Sequence, residues 1–169
     1  MAPLKAGDKF PEGVKFDWAP ILDEDPTVCG RPQEYDASKE WQGKKVVIVS
    51  LPGAFTPSCS AYHLPPYVHK FNELKSKGVD KVAVIASNDA FVMNGWGKVN
   101  KAPTGEDFLM LSDTKSLFSQ HYGWPAGMGD RNGRWAMIVE KDGTISYAEN
   151  EKNPGEVAAS AADTVLAKL

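Results

Sequence analysis

Two apolar runs that do not alternate with polar residues stand out in the first half of the chain, Val46–Leu51 and Val82–Ala86. Both are rich in β-branched residues, which indicates strands buried on both faces of a sheet. Between them, apolar residues recur at helical spacing within Pro57–Gly78, and the final glycine is suited to ending a helix. A strand, a helix and a second strand in this order predict a right-handed βαβ unit with parallel strands. We expect Pro65 and Pro66 to kink the helix, because each removes a backbone donor.

The segments on either side of this unit carry shorter patterns. Residues 1–45 are rich in proline, and we predict three short elements there: strands near Val14–Trp18 and Thr27–Gln33 and a helix around Ala37–Trp41. Downstream we predict helices over Asp89–Lys101, Thr114–His121 and Gly155–Ala167, a strand at Phe108–Leu111 and a hairpin over Arg134–Ala148. The hairpin turns at Lys141-Asp142-Gly143, where alternating residues flank a glycine.

These elements predict one domain over residues 1–169 with an α/β fold. A βαβ unit followed by an antiparallel hairpin and a last helix makes a mixed central sheet flanked by helices, which is the thioredoxin-like arrangement. The proline-rich first segment would add an N-terminal loop and hairpin extension. A chain of 169 residues has the length of one ordinary domain.

Composition and charge exclude several classes of protein. The chain is 42% hydrophobic and 24% charged, close to average globular usage, so it can bury a full core. A formal net charge of −3 argues against binding nucleic acid or an anionic membrane, because both need a basic surface. No apolar stretch approaches the length of a membrane span, and the amino terminus has no apolar signal core.

Two cysteines, Cys29 and Cys59, and three histidines, His63, His69 and His121, are the candidates for thiol or metal chemistry. Their scattered spacing does not match a zinc site, so we predict no metal. Without a signal segment, a reducing compartment is the default, where a stable disulfide would be unusual and a transient one would indicate redox chemistry. Cys59 is therefore either inert or reactive.

The surroundings of Cys59 favour a reactive thiol without requiring one. The preceding strand ends near Leu51, Pro57 suits the first position of a helix, and Thr56 suits its cap. Cys59 then lies in the first helical turn, where unpaired N–H groups and the helix dipole stabilise a thiolate. A lone cysteine at such a junction is also common as small core filler. Position alone leaves both interpretations open.

The residues around Cys59 form a motif. PGAFTPSC, residues 52–59, matches P-x-x-x-T/S-x-x-C, the active-site motif of peroxiredoxins. The longer pattern G-A-F-T-P-x-C-S-x-x-H-x-P resembles the type-five branch and the fungal alkyl hydroperoxide reductases within it. Further blocks in the same order extend the resemblance over nearly the whole chain: Gly78–Val84, Asn88–Val92, Gly95–Gly97, Leu111–Asp113 and Gly133–Glu140.

The resemblance implies a thiol-dependent peroxidase that reduces hydrogen peroxide and alkyl hydroperoxides at Cys59 through a cysteine sulfenic acid. It also implies that Pro52, Thr56 and Arg134 complete the site, with Thr56 and Arg134 as donors to the leaving oxygen. No metal, haem or flavin cofactor is needed, and the electrons would come from a dithiol, with thioredoxin the expected partner. The alternative is a redox sensor or chaperone-like protein on the same fold, which would not turn over.

Two residues near this site have other interpretations. Arg134 is the one arginine of three that directly abuts the alternating strand, as the family pattern requires, although an arginine there is often a solvated surface charge. His63 follows Cys59 by one helical turn and could serve as the base for a nucleophile. The family carries a histidine here without that role, so we expect His63 either to contact the residues that form the site or to pack beside them.

A homodimer and a second reactive cysteine also follow from the resemblance. In the type-five branch the dimer forms around the active-site loops, and the matching residues are Phe55, Phe91 and Trp96, which we expect to be exposed. Fungal relatives place a resolving cysteine in an early loop, where Cys29 lies, and we expect it to form a disulfide with Cys59 of the partner subunit. A buried or idle thiol is the alternative for Cys29.

The last three residues, Ala167-Lys168-Leu169, are similar to Ser-Lys-Leu, a peroxisomal address. We therefore predict a peroxisomal location, a cytoplasmic one, or both. A helix tail that ends in ordinary residues is the alternative interpretation.

Overall fold

A computed structural model describes residues 2–169 and has a seven-stranded sheet at its centre. The strands are β1 (Lys15–Trp18), β2 (Gln33–Asp36), β3 (Val46–Ser50), β4 (Lys81–Ala86), β5 (Phe108–Ser112), β6 (Trp135–Val139) and β7 (Ile145–Asn150). Their order is β2-β1-β5-β4-β3-β6-β7, in which β3, β4 and β5 are parallel and the other neighbouring pairs are antiparallel. The predicted mixed sheet and the parallel pairing of the βαβ unit are confirmed.

Helices flank this sheet. They are α1 (Ala37–Glu40), α2 (Leu64–His69), α3 (Phe71–Ser76), α4 (Ala90–Val99), α5 (Leu117–Tyr122) and α6 (Ala162–Leu166). A π-helical turn, Cys59–His63, leads into α2, and a 3₁₀ turn, Thr114–Ser116, leads into α5.

The core consists of two apolar clusters, one on each face of the sheet. In β3, Val47 and Val49 belong to one cluster, while Val46 and Ile48 belong to the other, as the alternation of side chains along a strand requires. The first cluster also takes in Cys59 and buried side chains of α2, α3, α4 and α6. These helices therefore cover the face of the sheet on which the candidate nucleophile lies.

The N-terminal extension adds β1 and β2 to one edge of the sheet, where β1 pairs with β5. The strand predicted over Thr27–Gln33 is wrong, because β2 begins only at Gln33. The carboxylate of Asp25 accepts hydrogen bonds from the N–H and the hydroxyl of Thr27, and these bonds close a turn instead of extending a strand. The cysteine of this segment thus lies in a loop.

The long helix predicted over Pro57–Gly78 is divided into three parts. Before Pro65 and Pro66 it widens into the π-helical turn, in which Leu64 N donates to the carbonyl five residues back. A second break, at Lys70, separates α2 from α3. The predicted kink takes the form of a wider turn, because the prolines remove the donors that a regular α-helix needs there.

The closing helix predicted over Gly155–Ala167 is wrong in length, since α6 begins only at Ala162. The N–H groups of Ala158 and Ser160 both donate to the side chain of Glu151 instead of to helical carbonyls. The residues before α6 therefore form a loop that is tied to the end of β7.

Residues 2–169 contain no helix that is both long and apolar enough to cross a membrane. Over the same range, no group of three or more His, Cys, Asp or Glu side chains is arranged to hold a metal ion.

Candidate active site

Cys59 lies in the first turn of the helical segment that follows β3. The first hydrogen bond of that segment runs from Ser60 N to Thr56 O at 3.0 Å. The N–H groups of the turn before Ser60 consequently have no partner within the helix. The Cys59 side chain is 1% exposed and packs in the cluster that α2, α3, α4 and α6 cover.

Arg134 brings a positive charge to this buried thiol. It immediately precedes β6, whose first residue, Trp135, pairs with Ser50 at the end of β3. The Arg134 side chain is 4% exposed, and its Nη2 donates to the Cys59 Sγ at 3.3 Å. The guanidinium is always charged, so the sulfur faces a permanent positive charge. The interpretation of Arg134 as a solvated surface charge is therefore wrong, because the side chain is buried against Cys59.

The other two nitrogens of the guanidinium are also hydrogen-bonded. Arg134 Nε donates to the Pro154 carbonyl at 3.0 Å, and Nη1 donates to His63 Nδ1 at 2.9 Å. The opposite ring nitrogen of His63, Nε2, donates to the Ser160 carbonyl at 3.0 Å. Because an arginine cannot accept and a carbonyl cannot donate, His63 must carry its proton on Nε2 and be neutral. Three contacts thus fix the plane of the guanidinium against the sulfur.

His63 is poorly placed to act as a base. Its Nδ1 lone pair already accepts from Arg134. Burial, and secondly the charge of Arg134, lower the pKa of His63 from 6.5 to about 4. The expectation that His63 contacts the site residues or packs beside them is consistent with this geometry, in which it accepts a hydrogen bond from Arg134.

The depressed pKa of His63 predicts a loss of stability in acid. Between pH 6.5 and about 4, His63 is protonated in the unfolded chain but neutral in the folded chain. The free energy of unfolding therefore falls as the pH falls. The loss should amount to about 3 kcal/mol between pH 7 and pH 4. We expect His63→Asn, whose amide oxygen can still accept from Arg134, to show a flatter pH profile in urea unfolding. His121→Asn, at an exposed histidine, is the matched control; parallel profiles for the wild type and His63→Asn would contradict the assignment.

The loop before Cys59 contains the other two residues of the predicted site. Pro52 and Thr56 are both half-buried there. The Thr56 hydroxyl donates to the Gly53 carbonyl at 2.6 Å, and Ala54 N donates to the Asn88 side chain at 2.8 Å. The hydroxyl proton of Thr56 is thus already used, which leaves its oxygen free as an acceptor and not, as expected from the sequence, as a donor.

Three residues that hold the site together were missed by sequence reasoning: Asn88, Pro154 and Ser160. Asn88 belongs to a motif block, so its position after β4 was a usable signal. Pro154 and Ser160 contribute through backbone carbonyls, which leave no trace in residue type.

Cys29 is exposed in the loop between β1 and β2, and the structure does not join it to Cys59. This loop is fastened to α4. Asn94 Nδ2 donates to the carbonyls of residues 19 and 20, and the buried Lys98 Nζ donates to those of residues 25 and 28, at 3.0 and 2.6 Å. Trp96 Nε1, on the same helix, donates to Ser60 Oγ beside Cys59.

Helix α4 therefore separates the two thiols within one chain. Asn94 and Lys98 are four residues apart and share a face, whereas Trp96 is about 200° away from either around the helix axis. The loop that carries Cys29 lies on one side of α4 and the turn that carries Cys59 on the other. Cys29 is exposed, so the alternative that it is a buried thiol is wrong.

The aromatic residues predicted to be exposed divide into two groups. Phe55 is 60% exposed and Phe91 is 54% exposed. Trp96 is fully buried, so the prediction that it is exposed is wrong: its ring packs in the core cluster and its N–H binds Ser60. Phe55 also adopts a left-handed backbone conformation, with φ of +58°.

Comparisons with known proteins agree with the motif. The Redoxin family model matches residues 5–166. Peroxiredoxin Pen c 3 of Penicillium citrinum is 49% identical over 98% of this chain and 99% of its own length. A protein of Lipomyces kononenkoae described as a peroxisomal peroxiredoxin is 45% identical over 96% and 99% of the two chains. The structure of reduced Prx3 from Vibrio vulnificus in complex with hydrogen peroxide superposes with a TM-score of 0.80 at 35% identity, covering 97% and 98% of the two chains. The chain thus belongs to the redoxin family and is a peroxiredoxin, a thiol-dependent peroxidase on the thioredoxin-like fold.

Proposed function

We propose that Cys59 is the residue that attacks the peroxide, and that the substrates are hydrogen peroxide and alkyl hydroperoxides. The observation that carries this proposal is the hydrogen bond from Arg134 Nη2 to the buried Cys59 Sγ. The thiolate sulfur attacks one oxygen, an S–O bond forms and the O–O bond breaks. The sulfur is oxidised by two electrons to a sulfenic acid, and the other oxygen leaves with a proton as water or an alcohol.

The remaining site residues hold the peroxide in line and stabilise the leaving oxygen. Arg134 and the unpaired N–H groups of the first turn donate to the oxygen on which negative charge develops. The Thr56 oxygen accepts a hydrogen bond from the peroxide O–H, since its own proton goes to the Gly53 carbonyl. Pro52, half-buried at the start of the loop, limits the access of water to the thiolate.

Regeneration uses Cys29 of the partner subunit. The Cys29 sulfur attacks the Cys59 sulfenic acid, an S–S bond forms and the S–O bond breaks with release of water. The separation of the two thiols by α4 within one chain supports an intersubunit disulfide over an intrasubunit one. A dithiol, with thioredoxin the expected partner, then reduces this disulfide by two electrons.

The partner subunit is a second copy of this chain that docks on the face around the active-site loop. Phe55 in the active-site loop and Phe91 on α4 support this homodimer, because exposed aromatic rings gain stability when a partner covers them. The buried Trp96 supports Phe55 from inside the subunit, since the centroids of the two rings lie 6.4 Å apart.

Cys29→Ser tests this cycle. After treatment with peroxide, the wild type should run as a covalent dimer on non-reducing electrophoresis, and thioredoxin with its reductase and NADPH should return it to the monomer band. Cys29→Ser should give no covalent dimer, because no second thiol is left to attack the Cys59 sulfenic acid. Sedimentation of the reduced variant should still show a non-covalent dimer. If Cys29→Ser turns over with thioredoxin at the wild-type rate, Cys29 is not the resolving residue and the enzyme works with one cysteine.

The location we propose is peroxisomal, with a cytoplasmic pool. The support is the terminal tripeptide, which follows directly after α6 with Lys168 exposed, together with the name of the Lipomyces kononenkoae relative. A fluorescent fusion with a free carboxyl terminus should enter peroxisomes and lose that location when Leu169 is deleted; a diffuse signal from the intact tail would contradict it.

A further inference from the structure

A buried carboxylate lies opposite Arg134 at the end of the β6–β7 ladder. Glu151 follows the last residue of β7, is 6% exposed, and donates its own N–H to the Arg134 carbonyl at 2.9 Å. Its Oε1 accepts three hydrogen bonds of 2.7 Å, from Ala158 N, Ser160 N and Ser160 Oγ. One carboxylate oxygen thus fastens the loop that precedes α6.

That loop supplies the groups that orient the guanidinium. The fully buried Ser160 accepts at its carbonyl from His63 Nε2 and from the Tyr67 hydroxyl, at 3.0 and 2.6 Å. The Pro154 carbonyl of the same loop accepts from Arg134 Nε. A continuous chain of hydrogen bonds therefore leads from Glu151 through Ser160 and His63 to Arg134.

Glu151 is suited to hold this chain as an anion. Burial raises its pKa, but the hydrogen bonds from Ser160 and Ala158 outweigh burial and hold the pKa below its ordinary value. All three donors belong to the loop, so the carboxylate acts on the position of the loop and not directly on the sulfur. The titratable side chains that interact with the Glu151 charge from neighbouring elements are His63, Tyr67 and Tyr147.

We propose that Glu151 is a positioning residue for peroxide reduction: it locks the 158–160 segment so that the Ser160 carbonyl fixes the His63 ring, and His63 in turn holds the Arg134 guanidinium against Cys59 Sγ. The inference deepens the proposed function, since it takes Cys59 as the attacking residue. Without the lock, the fold persists but the guanidinium gains freedom, and the thiolate loses part of its stabilisation.

The test compares Glu151→Ala, Glu151→Gln and Glu149→Ala. Glu149 lies exposed on β7, two residues before Glu151, so its variant removes a neighbouring carboxylate without touching the loop. Two quantities are measured: kcat/KM for hydrogen peroxide, and the pH at which Cys59 reaches half its maximal rate of alkylation by iodoacetamide, the latter in a Cys29→Ser background with one thiol. The alkylation measurement needs no peroxidase activity, so it reports on Glu151 even if the proposed function fails.

Glu151→Ala should lower kcat/KM by about ten- to a hundred-fold and raise the pH of half-maximal alkylation. Glu151→Gln keeps an acceptor at Oε1 and should stay within about three-fold of the wild type, and Glu149→Ala should match the wild type. A Glu151→Ala protein that melts at a lower temperature but keeps both quantities unchanged would overturn the proposal, because Glu151 would then be purely structural. Equal losses in the Ala and Gln variants would also overturn it, because Gln keeps an acceptor for the three loop donors and the loss could then not come from unlocking the loop.

If Glu151→Ala does not fold, the same two quantities are measured on Ser160→Ala instead. It removes only the Oγ donor and leaves the backbone bonds of the loop in place. The pH of half-maximal alkylation should rise and kcat/KM should fall by about three-fold. Wild-type values for both quantities in a folded Ser160→Ala protein would overturn the proposal.

Discussion

Cys59→Ser is expected to abolish peroxide reduction, with a loss in kcat/KM of at least about a thousand-fold. A serine hydroxyl is not ionised at neutral pH and is a poor nucleophile towards an O–O bond, whereas a thiolate is a good one. The fold should persist, because serine is nearly isosteric with cysteine and its oxygen can still accept from Arg134 Nη2 at the place of the sulfur. The rate of peroxide consumption with excess dithiol measures the loss.

The control for this experiment is Cys29→Ser, which also removes one thiol but keeps Cys59. It should still consume one equivalent of peroxide per chain, because the first oxidation does not need the exposed cysteine. Full activity in Cys59→Ser would reject Cys59 as the attacking residue.

Arg134→Lys is expected to lower kcat/KM by about a hundred- to a thousand-fold although the charge is retained. The guanidinium binds the Pro154 carbonyl, His63 Nδ1 and Cys59 Sγ at once through three different nitrogens. A lysine ammonium is a single point on a flexible stem and cannot span these partners in one plane. His63 Nδ1 or the Pro154 carbonyl would be left unpaired in a buried site, which adds a cost in stability.

Arg131→Lys is the matched control, since Arg131 is exposed and lies three residues earlier in the chain. It should keep wild-type kinetics. If the two lysine variants show the same activity, the planar fork of Arg134 has no role in the reaction, and the ion at this position acts only through its charge.

The central sheet was predictable because its strands carry a strong local signal. The run around Val46–Leu51 contains a single polar residue, Ser50, because β3 lies inside the sheet with one apolar cluster on each face. The strand predicted at Thr27–Gln33 was wrong because the turn there is closed by the Asp25 side chain. Such a hydrogen bond leaves no periodic pattern in the sequence by which the turn could be recognised. The late start of α6 escaped prediction for a similar reason, since Glu151 takes the N–H groups that a helix would have used.

The candidate site was predictable as far as its residues belong to the motif. Cys59, Thr56 and Arg134 were found in this way, and the structure brings Arg134 to the sulfur from 75 residues away. The burial of Trp96 was not predictable, because an apolar residue on a helix reads the same whether the core or a partner subunit covers it. The hydrogen-bond network from Glu151 to His63 was also not predictable, because it passes through a backbone carbonyl that any residue could provide.

Repeated turnover is the property that separates a peroxidase from a redox sensor on the same fold. The most direct measurement is the consumption of NADPH by the wild type in the presence of thioredoxin, thioredoxin reductase and excess hydrogen peroxide. We predict steady consumption of many equivalents of NADPH per Cys59, and none above background for Cys59→Ser. Oxidation that stops after one equivalent of peroxide per chain, with no further use of NADPH, would contradict catalysis at Cys59.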